Sequence, residues 1–449
     1  MSSIPEQFEE RMTTLLGTDY PNFVGVLDSP APVSIRLNSL KQVELKTSGV
    51  VPWAERGFYL ASRPVFTLDP RFHAGAYYVQ EASSMFLEQA LLQHAPLDRP
   101  ATFLDLCAAP GGKSTHIQNL IHNDSLLVSN EVIRSRVGAL VENLQKWGGA
   151  NCVVTSNDAE DFQQIPGLFD VIVVDAPCSG EGMFRKDPGA RTEWSPENVA
   201  ICAARQKRIV ESVWPALKEN GLLIYSTCTF NRAENEENLL WLAQNHDVEF
   251  LAIKTDPEWG IEEVAEGSVR GYRFYPHKVA GEGFFLAVVR KREHEDIPHF
   301  RNSPKDAFSA PSKKIIQEVE TWLLPGDYSF IQREDIIQSL PARWQHVIWG
   351  LTRKLRVTYA GTYLATQKNN KLVPEHPLAL SSVLNHSHFQ TLELTEAEAL
   401  SYLRKESLNL DTDYRGFAIM AFEGLPLGWG NVLPGRINNL YPSGWRIRM

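Results

Sequence analysis

The stretch TFLDLCAAPGGKST, residues 102–115, joins a strand-like apolar run to a glycine turn and then to a helical pattern. Glycines in such a turn let the backbone approach a ligand closely, and the helix that follows offers free N–H groups to an anion or a carboxylate. Downstream, as far as about residue 290, strand-like runs alternate with helical stretches. This alternation predicts an α/β fold built on a doubly wound, largely parallel sheet.

The predicted sheet has five main strands, at residues 102–107, 126–132, 152–157, 169–176 and 221–228. Helices are expected at 113–121, 134–147, 196–218 and about 234–244. The late pair YRFYP (272–276) and GFFLAVVRK (283–291) predicts a hairpin added at the sheet edge.

The chain has 449 residues, which is too long for one ordinary core, so two or three domains are expected. We expect a small N-terminal α+β domain at 1–100 and the α/β domain at 101–291. A polar, proline-containing linker is predicted at 292–312, followed by an independent β-rich module at 313–449.

The composition narrows the class of protein. Hydrophobic residues make up 43% and charged residues 22%, as in soluble globular proteins. No apolar run is long enough for a membrane-spanning helix, and the acidic start MSSIPEQFEERMTTLL is unlike a secretory signal. Five cysteines without CxxC spacing fit neither a disulfide framework nor a zinc site. We therefore expect no metal, no membrane and a reducing cytoplasm.

The charge is unevenly distributed. The net charge of −10 by itself argues against a nucleic-acid binder, but much of the acid lies in residues 231–266. Residues 342–371 and 428–449 contain no acid and place arginines and lysines among tryptophans and tyrosines. Cations contact phosphates and flat rings stack on unpaired bases, so these two segments favour RNA binding. The alternative is that the rings form the core of a small domain.

The glycine turn does not match two common ligand motifs. A phosphate-binding loop needs a glycine where Cys107 stands, and residues 108–112 do not supply the GxGxxG of a dinucleotide site. S-adenosylmethionine remains as the candidate ligand, because it has no phosphates and so needs neither motif. Glu131 ends the second strand, where an acid can bind ribose hydroxyls, and Asp158 follows the third strand, where it can reach an adenine edge. Both acids have an alternative interpretation as helix caps or surface residues.

Two strands of the predicted sheet end in thiols, Cys178 after the fourth and Cys228 at the end of the fifth. Free cysteines are usually small apolar residues, which suits Cys152 and Cys202, but these two fall where a substrate would lie. A thiolate beside S-adenosylmethionine suits methylation of cytosine carbon 5, because its addition at carbon 6 makes carbon 5 nucleophilic. Asp175 could supply a proton or a hydrogen bond at nitrogen 3 of the base.

Three blocks, LDLCAAPGGKST, VDAPCSGEGMFRKDP and YSTCTFNRAENE, resemble the signatures of the Sun/Fmu-type RNA cytosine-C5 methyltransferases. The resemblance extends upstream through FHAGAYYVQEASS (72–84). It implies a Rossmann-like class I S-adenosylmethionine-dependent methyltransferase, with Cys228 as nucleophile, Cys178 assisting product release and Asp175 facing the base. It also implies a cofactor site formed by Cys107, Ala108, Ala109, Pro110, Gly111, Gly112, Lys113, Glu131, Asp158 and Asp175.

The extension beyond the α/β domain resembles the RsmF-type small-subunit ribosomal RNA methyltransferases, which implies a PUA-like RNA-binding module in the last region. Expected partners are 16S ribosomal RNA or the small ribosomal subunit, and the chain is expected to be a monomer. A transfer-RNA cytosine is the alternative substrate. A small-molecule methyltransferase would need neither the paired thiols nor the basic aromatic segments, and a non-catalytic RNA-binding protein could lose the thiols.

Overall fold

The computed structural model describes residues 4–295, 309–369 and 371–448. The N-terminal region contains a four-stranded antiparallel sheet in the order β2-β3-β1-β4, with helices around it, as the predicted α+β domain requires. Its elements are α1 (Glu6–Leu16), α2 (Tyr20–Val26), β1 (Val33–Leu37), β2 (Gly49–Val50), β3 (Gly57–Leu60), α3 (Pro70–His73), β4 (Tyr77–Val79) and α4 (Leu87–His94).

The central region builds the large sheet. Its elements are β5 (Thr102–Asp105), α5 (Gly112–Leu120), β6 (Leu126–Asn130), α6 (Arg134–Trp147), β7 (Cys152–Thr155), β8 (Phe169–Asp175), α7 (Pro188–Glu193), α8 (Pro196–Val213), β9 (Leu217–Thr227), α9 (Glu236–Asn245), β10 (Val248–Leu251), β11 (Glu262–Glu266), β12 (Val269–Phe274) and β13 (Phe284–Lys291).

Five parallel strands run in the order β7-β6-β5-β8-β9, which confirms the Rossmann-like doubly wound sheet. Strands β5, β6 and β7 are buried throughout, which explains their continuous apolar runs. The chain reverses its strand order at β5, and ligands bind beyond the carboxyl ends of the strands at such a switch point.

The predicted hairpin is confirmed and extends the sheet beyond β9. Strands β12 and β13 pair antiparallel, and β13 also pairs antiparallel with β9. Strand β10 pairs with β13, and β11 pairs with β12 at the far edge.

One predicted helix is too long at its carboxyl end. The helix expected at 196–218 ends at Val213 as α8, and β9 begins at Leu217, earlier than the expected 221. Pro215 explains the difference, because proline has no N–H to donate to the carbonyl four residues earlier, so the α-helical hydrogen bonding stops after Trp214.

The predicted C-terminal region contains two four-stranded sheets, β14-β15-β17-β18 and β19-β20-β21-β22. Its elements are α10 (Lys313–Glu320), β14 (Tyr328–Arg333), β15 (Ile336–Pro341), α11 (Gln345–Lys354), β16 (Val357–Ala360), β17 (Thr362–Lys368), β18 (Lys371–Pro374), α12 (His376–Leu380), β19 (Gln390–Glu393), α13 (Glu396–Leu403), β20 (Gly416–Phe422), β21 (Leu425–Leu433) and β22 (Arg436–Asn439).

The region is not independent of the central sheet, because β16 pairs antiparallel with β7. This pairing covers an edge of the sheet that would otherwise expose unpaired backbone groups. The last sheet packs on the N-terminal domain instead: Ile35 and Tyr77 share one buried cluster with Leu394, Tyr402 and Tyr441. Most of the predicted linker, residues 296–308, lies outside the described residues.

The basic segments present their cations to solvent, but not all of their rings. The arginines at 343, 353, 356, 436, 446 and 448 are exposed. In contrast, Tyr359, Trp429 and Tyr441 are buried, so for these three rings the core interpretation is correct. No helix among the described residues has both the length and the apolar character needed to cross a bilayer.

Candidate active site

A cleft of about 570 Å³ opens at the carboxyl ends of the parallel strands. Eight of the twelve site residues predicted from the sequence line it: Cys107, Ala109, Lys113, Glu131, Asp158, Asp175, Cys178 and Cys228. The other four belong to the same glycine loop but do not line the cleft. Ala108 and Gly111 are buried, Gly112 is half-buried, and Pro110 is exposed.

The glycine loop is fixed by backbone contacts. Gly111 has a φ of 116°, a conformation that favours glycine, and α5 begins at the next residue. The Ala108 N–H donates to the Asn130 carbonyl at 2.8 Å, which ties the loop to the end of β6. The Arg136 guanidinium donates to the Ala109 carbonyl at 2.5 Å. The loop therefore holds its shape without help from a ligand.

The two acids expected to bind the cofactor differ in their surroundings. Glu131 is only 3% exposed, and one carboxylate oxygen accepts from the Ile133 N–H at 2.8 Å. Asp158 accepts two hydrogen bonds from Arg208, at 2.8 and 3.2 Å, and these bonds lower the pKa of its carboxyl. An adenine amino group reaching Asp158 would have to share it with Arg208.

Asp175 faces the cleft with both oxygens engaged. One accepts from the Lys113 ammonium at 2.7 Å and the other from the Ser226 hydroxyl at 2.9 Å. The ammonium also lies 5.1 Å from the centre of the Phe284 ring. Both oxygens accept hydrogen bonds, and Lys113 is the hydrogen-bond donor of this pair.

The two thiols meet in the cleft. The sulfur atoms of Cys178 and Cys228 are 3.1 Å apart, and the Cys228 N–H points to the Cys178 sulfur at 3.3 Å. Both side chains are half-buried. The hydrogen bond with Cys228, together with burial, raises the pKa of the Cys178 thiol well above its usual value. Burial also raises the pKa of the Cys107 thiol, and that of Cys152 to about 12.

Two buried carboxylates that the sequence analysis missed hold the thiol loops. Glu181 accepts from the hydroxyl of Thr229 at 2.6 Å and from the backbone N–H groups of Phe230 and Asn231 at 2.8 and 3.0 Å. Glu234 accepts from the backbone N–H of Ser179 at 3.0 Å. Each acid therefore lies in one motif block and binds the loop of the other. In the sequence, the only sign of these two positioning residues was a glutamate inside each motif block.

Asp105, at the end of β5, was also missed. It is fully buried, accepts from the Ser114 hydroxyl at 2.6 Å, and its second oxygen has no hydrogen-bond partner in the described structure. Burial raises the pKa of its carboxyl to about 7. Across residues 4–295, 309–369 and 371–448, no group of three or more His, Cys, Asp or Glu side chains is arranged to hold a metal ion.

Three family models match separate parts of the chain. Residues 92–290 match the 16S rRNA methyltransferase RsmB/F model, residues 4–82 the N-terminal domain of 16S rRNA methyltransferase RsmF, and residues 389–447 the methyltransferase RsmF PUA domain. The PUA match begins well after residue 313, so it covers the last sheet but not the sheet formed by β14, β15, β17 and β18.

Curated relatives match over nearly the whole chain. The ribosomal RNA small subunit methyltransferase F of Aliivibrio fischeri strain MJ11 is 32% identical, covering 97% of this chain and 95% of its own. The protein of the same name from Escherichia coli O157:H7 is 32% identical, with coverages of 97% and 94%.

Solved structures share the fold over a smaller part. A methyltransferase homolog from Pyrococcus horikoshii is 29% identical with a TM-score of 0.54, covering 64% of this chain and 95% of that one. NSun6 from the same organism, solved with SFG, is 20% identical with a TM-score of 0.54, covering 64% and 98%. With the three motif blocks meeting in one cleft, these similarities show that the chain belongs to the RsmF-type 16S rRNA methyltransferase family.

Proposed function

We propose that the chain transfers a methyl group from S-adenosylmethionine to carbon 5 of a specific cytosine in 16S ribosomal RNA, through a covalent bond to Cys228. The observation that carries the proposal is the pair of thiols 3.1 Å apart in the cleft that the glycine loop and Glu131 also line. A methyltransferase acting on a stronger nucleophile would have no use for a thiol at this place.

The residues of the cleft fit S-adenosylmethionine. The cleft volume of about 570 Å³ lies in the usual range for small-molecule sites. At the cleft wall, the second carboxylate oxygen of Glu131 lies 3.5 Å from the Arg136 guanidinium. The loop 107–113, Glu131 and Asp158 would hold the cofactor, which supplies an electrophilic methyl group when bound.

The proposed reaction begins at Cys228. Its thiolate adds to carbon 6 of the cytosine, which makes carbon 5 a nucleophile able to take the methyl group. Lys113, held by Asp175, can donate a hydrogen bond to the base and favour this addition. After methyl transfer a base removes the carbon-5 proton, and the Cys228 sulfur leaves as the ring double bond re-forms. Cys178, in contact with that sulfur, is placed to assist its release.

The choice of Cys228 rather than Cys178 as nucleophile rests on the family resemblance, and the contact between the two sulfur atoms supports a role for both thiols. Two thiols in contact do not ionise independently, because the first negative charge opposes the second. The hydrogen bond with Cys228, together with burial, raises the pKa of the Cys178 thiol above its usual value.

The catalytic test uses two variants. Cys228→Ala should abolish methylation, whereas Cys178→Ala should still add to the base and accumulate as a covalent protein–RNA complex that survives denaturing gel electrophoresis. Cys202→Ala, which removes a buried thiol that is not among the residues lining the cleft, should behave as the wild type. Substantial turnover by Cys228→Ala would refute the proposal.

The substrate test is bisulfite sequencing of total RNA from a strain lacking the protein. Relatives matching 97% of the chain are named ribosomal RNA small subunit methyltransferases, so we expect loss of one methylcytosine from small-subunit RNA. Loss from a transfer RNA alone would identify the alternative substrate instead. We further propose that the partner is the ribosomal RNA or the small subunit, bound by a monomer in the cytoplasm.

A further inference from the structure

A second cavity, of about 390 Å³, lies beside the glycine loop. Its walls include Arg63, Phe66, Phe72, Tyr78, Val79 and Asn143, and we call it the aromatic pocket. None of these residues has a role in the proposed mechanism. Its volume is within the range of about 300–1,000 Å³ in which small-molecule sites fall.

The aromatic pocket and the catalytic cleft share a wall. The Asn143 side-chain amide donates to the Pro110 carbonyl at 2.8 Å. The Tyr78 ring packs so closely on Gly112 that a Cβ atom added there would lie 3.4 Å from it. On its other side the same loop lines the cleft through Ala109 and Lys113. A nucleotide beside one whose base occupies the cleft is therefore within reach of the pocket.

The chemistry of the aromatic pocket suits an unpaired base and its phosphate. Phe72 and Tyr78 are half-buried, so each offers part of a ring for stacking. The exposed Arg63 guanidinium lies 5.4 Å from the centre of the Phe66 ring, and no acid is among the described residues that line the cavity. Aromatic rings with a nearby cation and no opposing acid are typical of sites for single-stranded RNA.

Two polar groups are available for the edge of a base. The Asn143 side-chain carbonyl and the Tyr78 hydroxyl form no hydrogen bond within the described part of the chain. A carbonyl oxygen accepts from the exocyclic amino groups of bases, whereas uracil has no such group. The pocket can therefore distinguish bases as well as stack on them.

We propose that the aromatic pocket binds an unstacked base next to the target cytosine, with Arg63 at its phosphate. This inference rests on the proposed function, because it takes the substrate to be an RNA whose target base enters the cleft. Flipping that base leaves its neighbour without a stacking partner, and the pocket supplies one.

The test compares Arg63→Ala and Tyr78→Leu with the wild type on a transcript of small-subunit ribosomal RNA. Each should raise the KM and the Kd for the transcript about tenfold, as expected for one lost stacking or phosphate contact, and leave kcat within about twofold. Tyr78→Phe keeps the ring and should lose less affinity for the transcript than Tyr78→Leu does. Arg99→Ala removes an exposed arginine outside the pocket and is the matched control. The Kd for S-adenosylmethionine should stay unchanged in all four.

Wild-type affinity for the transcript in both Arg63→Ala and Tyr78→Leu would overturn the proposal. If Tyr78→Leu also weakens cofactor binding through Gly112, the result for Arg63→Ala decides, since Arg63 lies over the Phe66 ring and the side chain nearest Gly112 is Tyr78. Methylation of a base other than cytosine by the wild type would refute the proposed reaction, and the RNA affinities would still decide the role of the pocket.

Discussion

Glu181 shows how a single buried residue can set the geometry of the proposed nucleophile, Cys228, through the segment that follows it. Its side chain is 1% exposed, and one oxygen accepts from three groups in the segment Thr229–Asn231, directly after Cys228. The other oxygen accepts from the Trp194 indole at 3.0 Å. Glu181 thus acts as a positioning residue that fixes the direction in which β9 delivers the Cys228 sulfur.

We expect Glu181→Gln to slow methyl transfer by about 100-fold. The NH2 group of glutamine would face N–H or hydroxyl donors at a place where a carboxylate oxygen now accepts their hydrogen bonds. The measurement is the rate of covalent complex formation with RNA in a Cys178→Ala background, which isolates the attack by Cys228. Glu193→Gln makes the same chemical change at an exposed site and should leave this rate unaltered. An unaltered rate in Glu181→Gln as well would rule out the positioning role.

Asp105 predicts how stability depends on pH. Burial raises the pKa of its carboxyl from 3.8 to about 7, so between these values the folded chain holds a proton that the unfolded chain has lost. The stability that this proton contributes is fully present below about pH 4. As the pH rises toward 7, the free energy of unfolding falls by at most about 4 kcal/mol.

The check is urea unfolding at several values between pH 4.5 and 7.5. Asp105→Asn keeps an acceptor for Ser114 but cannot titrate, so its stability should fall less than that of the wild type over this range. Asp98→Asn, at an exposed position, should follow the wild-type curve. Parallel curves for wild type and Asp105→Asn would contradict the assignment of the buried proton.

At the scale of elements, the loops after β8 and β9 and the loop before β13 converge at Gly182. Its N–H donates to the Cys228 carbonyl at 2.8 Å. A Cβ atom at residue 182 would lie 2.4 Å from the Gly283 carbonyl oxygen and 2.8 Å from that of Cys228. Both obstacles are backbone atoms, which cannot move aside without shifting the strand ends that carry the two thiols.

Gly182→Ala should therefore destabilise the fold by about 1–3 kcal/mol and reduce activity more strongly than stability. Gly138→Ala is the matched control, since a Cβ atom at this position in α6 meets nothing within 4 Å, and it should stabilise the helix by about 1 kcal/mol. Thermal unfolding and methylation assays of the two variants make the comparison. Full activity in Gly182→Ala would show that the loops tolerate separation.

The elements also show where sequence patterns succeed and where they fail. Strands β5 to β9 were predictable because strands buried on both faces read as apolar runs, and the ends of parallel strands then bring Cys178 and Cys228 together. Strand β16 was not predictable, because it pairs with β7 across more than 200 positions of sequence, as between Val357 and Thr155, and such a pairing leaves no local pattern. Glu181 and Glu234 were missed for the same reason, since their partners lie in the opposite loop.

At the scale of the whole molecule, the last sheet and the segment before it both contact the rest of the chain. Tyr441 is fully buried in the cluster shared with the N-terminal domain, and its hydroxyl lies 3.5 Å from His73. Just before that sheet, the Gly148 carbonyl at the end of α6 accepts from the Ser382 N–H at 2.9 Å. A PUA-like module that hung freely from a linker would have neither contact.

We therefore expect the first, central and last domains to unfold in one cooperative transition. S-adenosylhomocysteine, a ligand for the catalytic cleft alone, should raise the melting temperature of the entire chain, because binding at 100 times Kd stabilises the folded state by about 2.7 kcal/mol. Tyr441→Ala should lower that single transition, as the loss of a buried ring costs about 3–5 kcal/mol. Differential scanning calorimetry with and without the ligand measures both effects. A separate transition that responds to Tyr441→Ala but not to the ligand would mean that the last sheet unfolds on its own.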